Sequence, residues 1–158
     1  MTPAEESVKF FYDNIGLARP TSGDNRILYF VETSNVPQCI KDVRKKIIAE
    51  NGFEEMFHNH DHQDFAIYLT NGKDLPEHQD LIRDKEIDTY EHVRANWVVS
   101  TPESGGCIWG DDGKEYPPIL DSICCINAKK PHGITAIVGN TPLIVISFGF
   151  IKRHSNYV

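Results

Sequence analysis

The first part of the chain has the apolar spacing of two amphipathic helices. The first helix is predicted from Thr2-Pro3-Ala4-Glu5, a capping-box sequence with proline at the first helical position, to a stop at Gly16. The second is predicted to start after Ser34-Asn35 and to end at Asn51-Gly52. Between them, residues 26–32 (RILYFVE) have the composition of a strand. Helical spacing relates the apolar positions Val8, Phe11 and Ile15 in the first helix and Ile40, Val43, Ile47 and Ile48 in the second.

From Asp64 onward the pattern changes to short apolar runs separated by tight-turn sequences, as in an all-β domain. The turn sequences are Asn71-Gly72, Asp111-Asp112-Gly113 and Gly139-Asn140. The predicted strands span residues 65–70, 92–100, 119–127, 134–138 and 143–151. We therefore predict a mostly β fold with N-terminal helices. A jelly-roll core fits this order of elements, and a plain β-sandwich fits it almost as well.

The length of 158 residues fits a single domain with a sizeable core. We expect residues 1–63 to form a helical support segment with the first strand, and residues 64–158 to form the jelly-roll core. No apolar run is long enough to span a bilayer, so we expect no membrane partner. The acidic N-terminal residues lack the apolar core of a signal peptide, so we expect a cytoplasmic protein.

The charge balance narrows the range of partners. The formal net charge is −7 and no basic stripe is present, whereas nucleic-acid binding depends on basic contacts to phosphates. We therefore expect no nucleic-acid partner and favour a small molecule or a protein side chain as the substrate. The sequence gives no indication of the oligomeric state.

Two segments carry histidines in positions suited to metal binding. His78-Gln79-Asp80 forms an HxD sequence, and alternate residues of an extended segment point to the same side. His132 lies between two apolar segments, where it is either an exposed turn residue or a third ligand at a barrel rim. Together, His78, Asp80 and His132 would supply two imidazoles and one carboxylate. That set can hold iron(II) on one face and leave other coordination positions open.

With these residues the sequence resembles the iron(II)/2-oxoglutarate-dependent dioxygenase superfamily. The resemblance rests on His78-Gln79-Asp80, Trp97-Val98-Val99, Ser104-Gly105-Gly106, Pro131-His132-Gly133-Ile134 and Gly139-Asn140 before a last apolar strand. It implies a double-stranded β-helix that binds iron(II) through His78, Asp80 and His132, with the preceding helices as support. It also implies that 2-oxoglutarate and oxygen are used to hydroxylate a C–H bond of the substrate.

One position departs from the pattern of that superfamily. Where its members usually have an arginine or lysine that pairs with the far carboxylate of 2-oxoglutarate, this chain has Pro142. The best substitute is Arg94, which shares one face of the predicted strand with His92 and Asn96. That face is either solvated or turned to the interior, where an arginine could grip a carboxylate bidentately. Asn96 and Ser147 are further candidate co-substrate residues.

A second cluster of histidines leaves another interpretation open. His58, His60 and His62 alternate along the sequence, and such a pattern can bind a metal or form a polar loop near a site. In a cupin-like metal enzyme that does not use 2-oxoglutarate, His58 or His60 would join His132 in place of Asp80. In a non-catalytic jelly-roll binding module, His132 would be only a turn residue. The iron(II)- and 2-oxoglutarate-dependent hydroxylase is the leading hypothesis.

Overall fold

The computed structural model describes four stretches of the chain, residues 1–21, 24–56, 64–80 and 89–153. Two α-helices come first, α1 (Pro3–Asp13) and α2 (Gln38–Asn51). The predicted capping box of α1 forms, because Thr2 and Glu5 each accept a hydrogen bond from the other's backbone N–H. Helix α2 ends at Gly52, whose φ of 66° is the left-handed conformation that glycine adopts at little cost.

The strands of the described residues form two main sheets and one short pair. Their bounds are β1 (Arg19–Pro20), β2 (Arg26–Tyr29), β3 (Asp64–Leu69), β4 (Leu75–His78), β5 (Tyr90–Ser100), β6 (Ser104–Gly105), β7 (Ile108–Trp109), β8 (Glu115–Tyr116), β9 (Ile123–Asn127), β10 (His132–Ile134), β11 (Ile137–Val138) and β12 (Leu143–Arg153). The larger sheet has the order β1-β2-β3-β12-β5-β9, and the smaller sheet has the order β4-β10-β7-β8. Strand β11 pairs with β6, and neighbouring strands run antiparallel throughout these sheets.

The larger sheet is covered on both faces, which explains why its central strands are apolar at nearly every position. On β12, Ile144, Ile146 and Phe148 pack on the helix side, in one cluster with Phe11 of α1. The alternate residues of β12, such as Val145, pack on the other side, against apolar residues of the smaller sheet. Successive side chains of a strand point to opposite faces, so this single strand contributes to both layers of the core.

The same alternation decides which face of β5 looks into the space between the two sheets. Its residues on the helix side are Val93, Ala95, Trp97 and Val99. The polar side chains of His92, Arg94 and Asn96 therefore point the other way, into the space between the sheets, and all three are buried. The solvated alternative for this face is wrong.

Several predicted elements differ from the structure in their bounds. The strand predicted over 26–32 stops at Tyr29, and Phe30–Glu32 form a short 3-10 helix. The strand predicted over 119–127 begins only at Ile123, because Asp121 adopts a left-handed φ of 67° in a turn.

Two further differences concern element ends that the apolar pattern does not reveal. The strand predicted over 134–138 is two strands, because β10 pairs in the smaller sheet while β11 pairs with β6. Helix α1 ends at Asp13, before the predicted stop at Gly16, and the Asn14 side chain caps it by donating to the Phe10 carbonyl.

Neither helix of the described chain is long and apolar enough to cross a membrane.

Candidate metal and co-substrate site

Backbone pairing brings the two candidate histidines together. Strand β10 pairs antiparallel with β4, and in this register His132 lies directly opposite His78. Their rings are 4.1 Å apart between centroids. Asp80 lies two residues beyond His78, just outside β4, and its N–H donates to the Ala128 carbonyl at 2.8 Å. The side chains of His78 and Asp80 therefore point to the same side, as the HxD spacing predicts.

The polar atoms of these three side chains converge. The Asp80 Oδ1 atom lies 3.6 Å from His78 Nε2 and 3.5 Å from His132 Nε2. One ligand atom from each of His78, Asp80 and His132 can be chosen so that all lie within 4.8 Å of one another. That spacing suits atoms placed around a single divalent ion, since metal–ligand bonds to nitrogen and oxygen are roughly 2 Å long.

Both imidazoles are oriented by backbone carbonyls. His78 Nδ1 lies 2.8 Å from the Pro76 carbonyl, and His132 Nδ1 lies 2.8 Å from the Lys130 carbonyl. In each ring the Nδ1–H donates to the carbonyl, which leaves Nε2 as the nitrogen that faces Asp80. Histidines that bind metals commonly hold their other ring nitrogen in this way.

The electrostatics of the cluster favour an ionised carboxylate. Burial raises the pKa of the Asp80 carboxyl, but the His132 hydrogen bond and the Arg94 charge outweigh burial and hold that pKa below its ordinary value. Burial lowers the pKa of the His132 imidazole, but its contacts with Asp80 and the Lys130 carbonyl outweigh burial and raise that pKa. Asp80 and His132 therefore stabilise each other's charged forms.

The candidate co-substrate residues lie beside this cluster. Arg94 is 8% exposed, and its Nε atom lies 3.5 Å from Asp80 Oδ2. Its guanidinium carbon lies 4.5 Å above the centre of the Phe65 ring on β3. Asn96 and Ser147 are directly opposite each other across β5 and β12, and both are buried. The structure thus groups Arg94, Asn96 and Ser147 on the inner face of the larger sheet.

A cavity of about 80 Å³ joins the two groups of residues. Its polar lining comes from the histidine–aspartate cluster together with Arg94, Asn96 and Ser147. Its apolar lining residues are Ile27, Phe65, Ile67, Leu75, Ile108, Ile126 and Ile134. A cavity of this size has room for a small co-substrate, since one water molecule needs roughly 10–15 Å³ measured in the same way.

The position that departs from the superfamily pattern offers no cation. Pro142 precedes β12, and its carbonyl accepts a hydrogen bond from the Ser100 hydroxyl. The next residue, Leu143, is fully buried in the apolar core between the sheets. Among the described residues, Arg94 supplies a cation to the cavity lining. Burial lowers the pKa of its guanidinium, and the charges of Asp80 and Asp64 oppose that shift.

Sequence reasoning did not assign a role to one histidine near the site. His92 is 2% exposed, and its Nδ1 atom lies 3.9 Å from Asp80 Oδ2. The signal was present in the sequence, because His92 alternates with Arg94 and Asn96 along β5. The histidines of the alternative cupin-like interpretation, His58, His60 and His62, lie outside the described residues.

Comparison with known proteins identifies the fold. No protein-family model matches the sequence, and no curated protein matches it either. The structure is similar to the viral collagen prolyl hydroxylase vCPH from Paramecium bursaria Chlorella virus-1, solved with 2-oxoglutarate. The TM-score is 0.65 at 14% sequence identity, and the match covers 95% of this chain and 91% of that chain.

Two further solved structures are similar over a comparable share of this chain. One is a prolyl hydroxylase from Trichoplax adhaerens in complex with a peptide of the hypoxia-inducible factor oxygen degradation domain. Its TM-score is 0.64 at 11% identity, covering 94% of this chain and 76% of that chain. The other is HygX from Streptomyces hygroscopicus with nickel and 2-oxoglutarate bound. Its TM-score is 0.61 at 12% identity, covering 95% of this chain and 79% of that chain.

These similarities establish the architecture that the sequence predicts. The chain has the double-stranded β-helix fold of the iron(II)/2-oxoglutarate-dependent oxygenases, with two helices packed on the larger sheet. The prediction of a mostly β jelly roll with N-terminal helices is confirmed. The structure has this fold rather than the plain β-sandwich that the order of elements also allowed. Structural similarity at such low sequence identity shows only the fold. The chemistry therefore has to be argued from the residues of the site.

Proposed function

We propose that this chain is an iron(II)- and 2-oxoglutarate-dependent oxygenase that hydroxylates a small molecule or a protein side chain. The observation that carries the proposal is the convergence of His78, Asp80 and His132 at the edge of a cavity that also contains Arg94. Two imidazoles and one carboxylate are the donor set of the facial triad found in non-haem iron(II) oxygenases. Iron(II) bound there would supply the oxygen-activating chemistry.

The protein's own residues have separate tasks in this proposal. The Nε2 atoms of His78 and His132 and a carboxylate oxygen of Asp80 hold the metal, and the Pro76 and Lys130 carbonyls fix the two rings. The apolar residues of the cavity keep water away from the reacting groups.

Arg94 is the proposed anchor for the far carboxylate of 2-oxoglutarate. It is buried in the cavity lining and carries a fork of N–H donors that matches a carboxylate. Asn96 and Ser147 line the same cavity and would add hydrogen bonds to this carboxylate. This anchor lies on β5, whereas the superfamily usually places it where this chain has Pro142.

The substrate class is inferred from the similar structures. Two of the similar structures are prolyl hydroxylases, and one of these was solved with a peptide. A prolyl side chain in a protein or peptide is therefore a reasonable first substrate to test, with small molecules as the other class.

The proposal is tested by adding iron(II) and 2-oxoglutarate to the purified protein under anaerobic conditions. Chelation of the metal by 2-oxoglutarate gives a weak visible charge-transfer band, and we expect the band to require both components. The band should vanish in Asp80→Ala and in Arg94→Ala. As a matched control, Ile119→Ala changes an exposed residue outside the cavity lining and should keep the band.

The other outcomes point to the alternative interpretations. Iron binding without the band would contradict the use of 2-oxoglutarate and favour a cupin-like metal enzyme. Failure to bind any divalent metal would leave a jelly-roll binding module.

A further inference from the structure

His92 is a buried histidine to which the proposed metal site gives no role. Its side chain is 3% exposed, and it lies on β5, which is flanked by β12 and β9 in the larger sheet. Taking the polar nitrogens of an imidazole out of water costs free energy unless polar groups meet them. The carboxylate of Asp80 is a polar group that faces the Nδ1 atom of His92.

The two oxygens of the Asp80 carboxylate have different neighbours. Oδ1 faces the candidate ligands, at 3.6 Å from His78 Nε2 and 3.5 Å from His132 Nε2. Oδ2 faces β5, at 3.9 Å from His92 Nδ1 and 3.5 Å from Arg94 Nε. The carboxylate is therefore oriented with one oxygen toward the metal position and one toward the larger sheet.

Backbone hydrogen bonds fix this arrangement. The Asp80 N–H donates to the Ala128 carbonyl at 2.8 Å, and the Ala128 N–H donates to the His92 carbonyl at 2.7 Å. Ala128 is fully buried, so these bonds are shielded from water. The backbones of Asp80 and His92 are thus both hydrogen-bonded to Ala128, which holds the two residues close together.

We infer that His92 is a positioning residue, which together with Arg94 holds Oδ2 of Asp80 so that Oδ1 alone is presented to the metal. This inference rests on the proposed metal site. A carboxylate that binds through one oxygen leaves three positions of an octahedral ion open beside two imidazoles, whereas a carboxylate that turns can occupy a further position. His92 therefore keeps coordination positions available for the co-substrate and oxygen.

The role of His92 can be measured with cobalt(II) alone, without turnover. His92→Phe keeps a ring of similar size but removes both nitrogens, and His92→Asn places an amide nitrogen near the Nδ1 position. We expect His92→Phe to raise the cobalt(II) Kd by roughly 10- to 100-fold, the usual effect of losing a group that orients a metal ligand. The visible absorption bands of bound cobalt(II) should change in His92→Phe, and His92→Asn should recover most of the affinity and the wild-type bands.

Val93→Ala is the matched control for effects on packing. Val93 is the next residue of β5, but its side chain points to the helix side and packs in the other core cluster. This variant should lower the unfolding temperature and keep the wild-type cobalt(II) Kd and spectrum. If His92→Phe does not fold, His92→Gln serves instead, since its longer side chain displaces the amide nitrogen from the Nδ1 position, and it should bind cobalt(II) more weakly than His92→Asn.

The possible results separate this inference from the proposed function. Wild-type affinity and an unchanged spectrum in His92→Phe, or in His92→Gln where that variant replaces it, would overturn the positioning role and leave the metal site intact. Absence of cobalt(II) binding to the wild-type protein would overturn both.

Discussion

The carboxylate of Asp80 and the guanidinium of Arg94 form an ion pair between the two sheets, with Oδ2 and Nε 3.5 Å apart. The two charges roughly cancel while no metal is bound. A divalent ion next to Asp80 would give the cavity a net positive charge in a region of low dielectric constant. The cavity would then be electrostatically complementary to the negative charge of a 2-oxo acid.

This relationship predicts that 2-oxoglutarate binding depends on the metal. We expect the Kd for 2-oxoglutarate to fall at least about tenfold, equivalent to roughly 1.4 kcal/mol, when manganese(II) is present under anaerobic conditions. Titration calorimetry with and without manganese(II) measures the difference directly. Equal affinities would mean that the metal and the co-substrate do not share the cavity.

Arg94 should control the affinity for the co-substrate in addition to its contact with Asp80. Hydrogen bonds to charged groups contribute about 1.5–3 kcal/mol, so Arg94→Met should raise the Kd for 2-oxoglutarate by roughly 10- to 150-fold. Arg94→Lys keeps the charge but loses the bidentate fork, and an intermediate Kd is expected. A 2-oxoglutarate Kd in Arg94→Met close to that of the wild type would assign the anchoring role to another residue.

Metal affinity should depend on pH through His132. The pKa of His132 is raised in the folded protein, and a metal binds only the neutral imidazole. The manganese(II) Kd should therefore increase as the pH falls through this raised pKa, by up to about tenfold per pH unit. Titrations between about pH 6 and pH 8 would measure this slope, and a Kd that does not change over that range would contradict the assignment of His132 as a ligand.

The metal-free protein should show the opposite dependence on pH. A raised folded pKa means that the protonated form of His132 is stabilised by folding. Its contribution is fully present below the unfolded value of about 6.5 and is lost as the pH rises through the folded pKa. Asp80→Asn removes the carboxylate that contributes to this shift, so its unfolding free energy should depend less on pH over that range. Chemical denaturation at several pH values checks both proteins.

The sequence predicts the fold because its strongest signals are local. The capping box at Thr2 and the glycine stop at Gly52 mark helix ends through interactions within a few residues, and the structure contains both. The predicted strand bounds differ from the observed ones where pairing with distant strands determines where a strand ends. Residues 134–138 are continuously apolar or small, yet they divide between two sheets because β10 and β11 pair with different strands.

The candidate site was predictable only in part, for a similar reason. The HxD spacing fixes the shared direction of His78 and Asp80, but nothing local places His132 opposite His78. Alternation along β5 groups His92 with Arg94 and leaves open which face is the interior. The helices determine which face is the interior, because their apolar side chains cover the opposite face of the strand.

The end of α1 at Asp13 gives a last prediction, which concerns stability. Phe11 is fully buried and stacks on Tyr68 of β3 with ring centroids 5.2 Å apart, whereas Ile15 lies beyond the helix and is 40% exposed. Phe11→Ala should lower the free energy of unfolding by about 3–5 kcal/mol, because it removes a large side chain from the core between helix and sheet. Ile15→Ala should change it by no more than about 0.5 kcal/mol, as expected for an exposed position. Urea denaturation measures both variants. Similar losses for the two would mean that the helical stripe continues to Ile15 in solution, as the sequence pattern alone predicts.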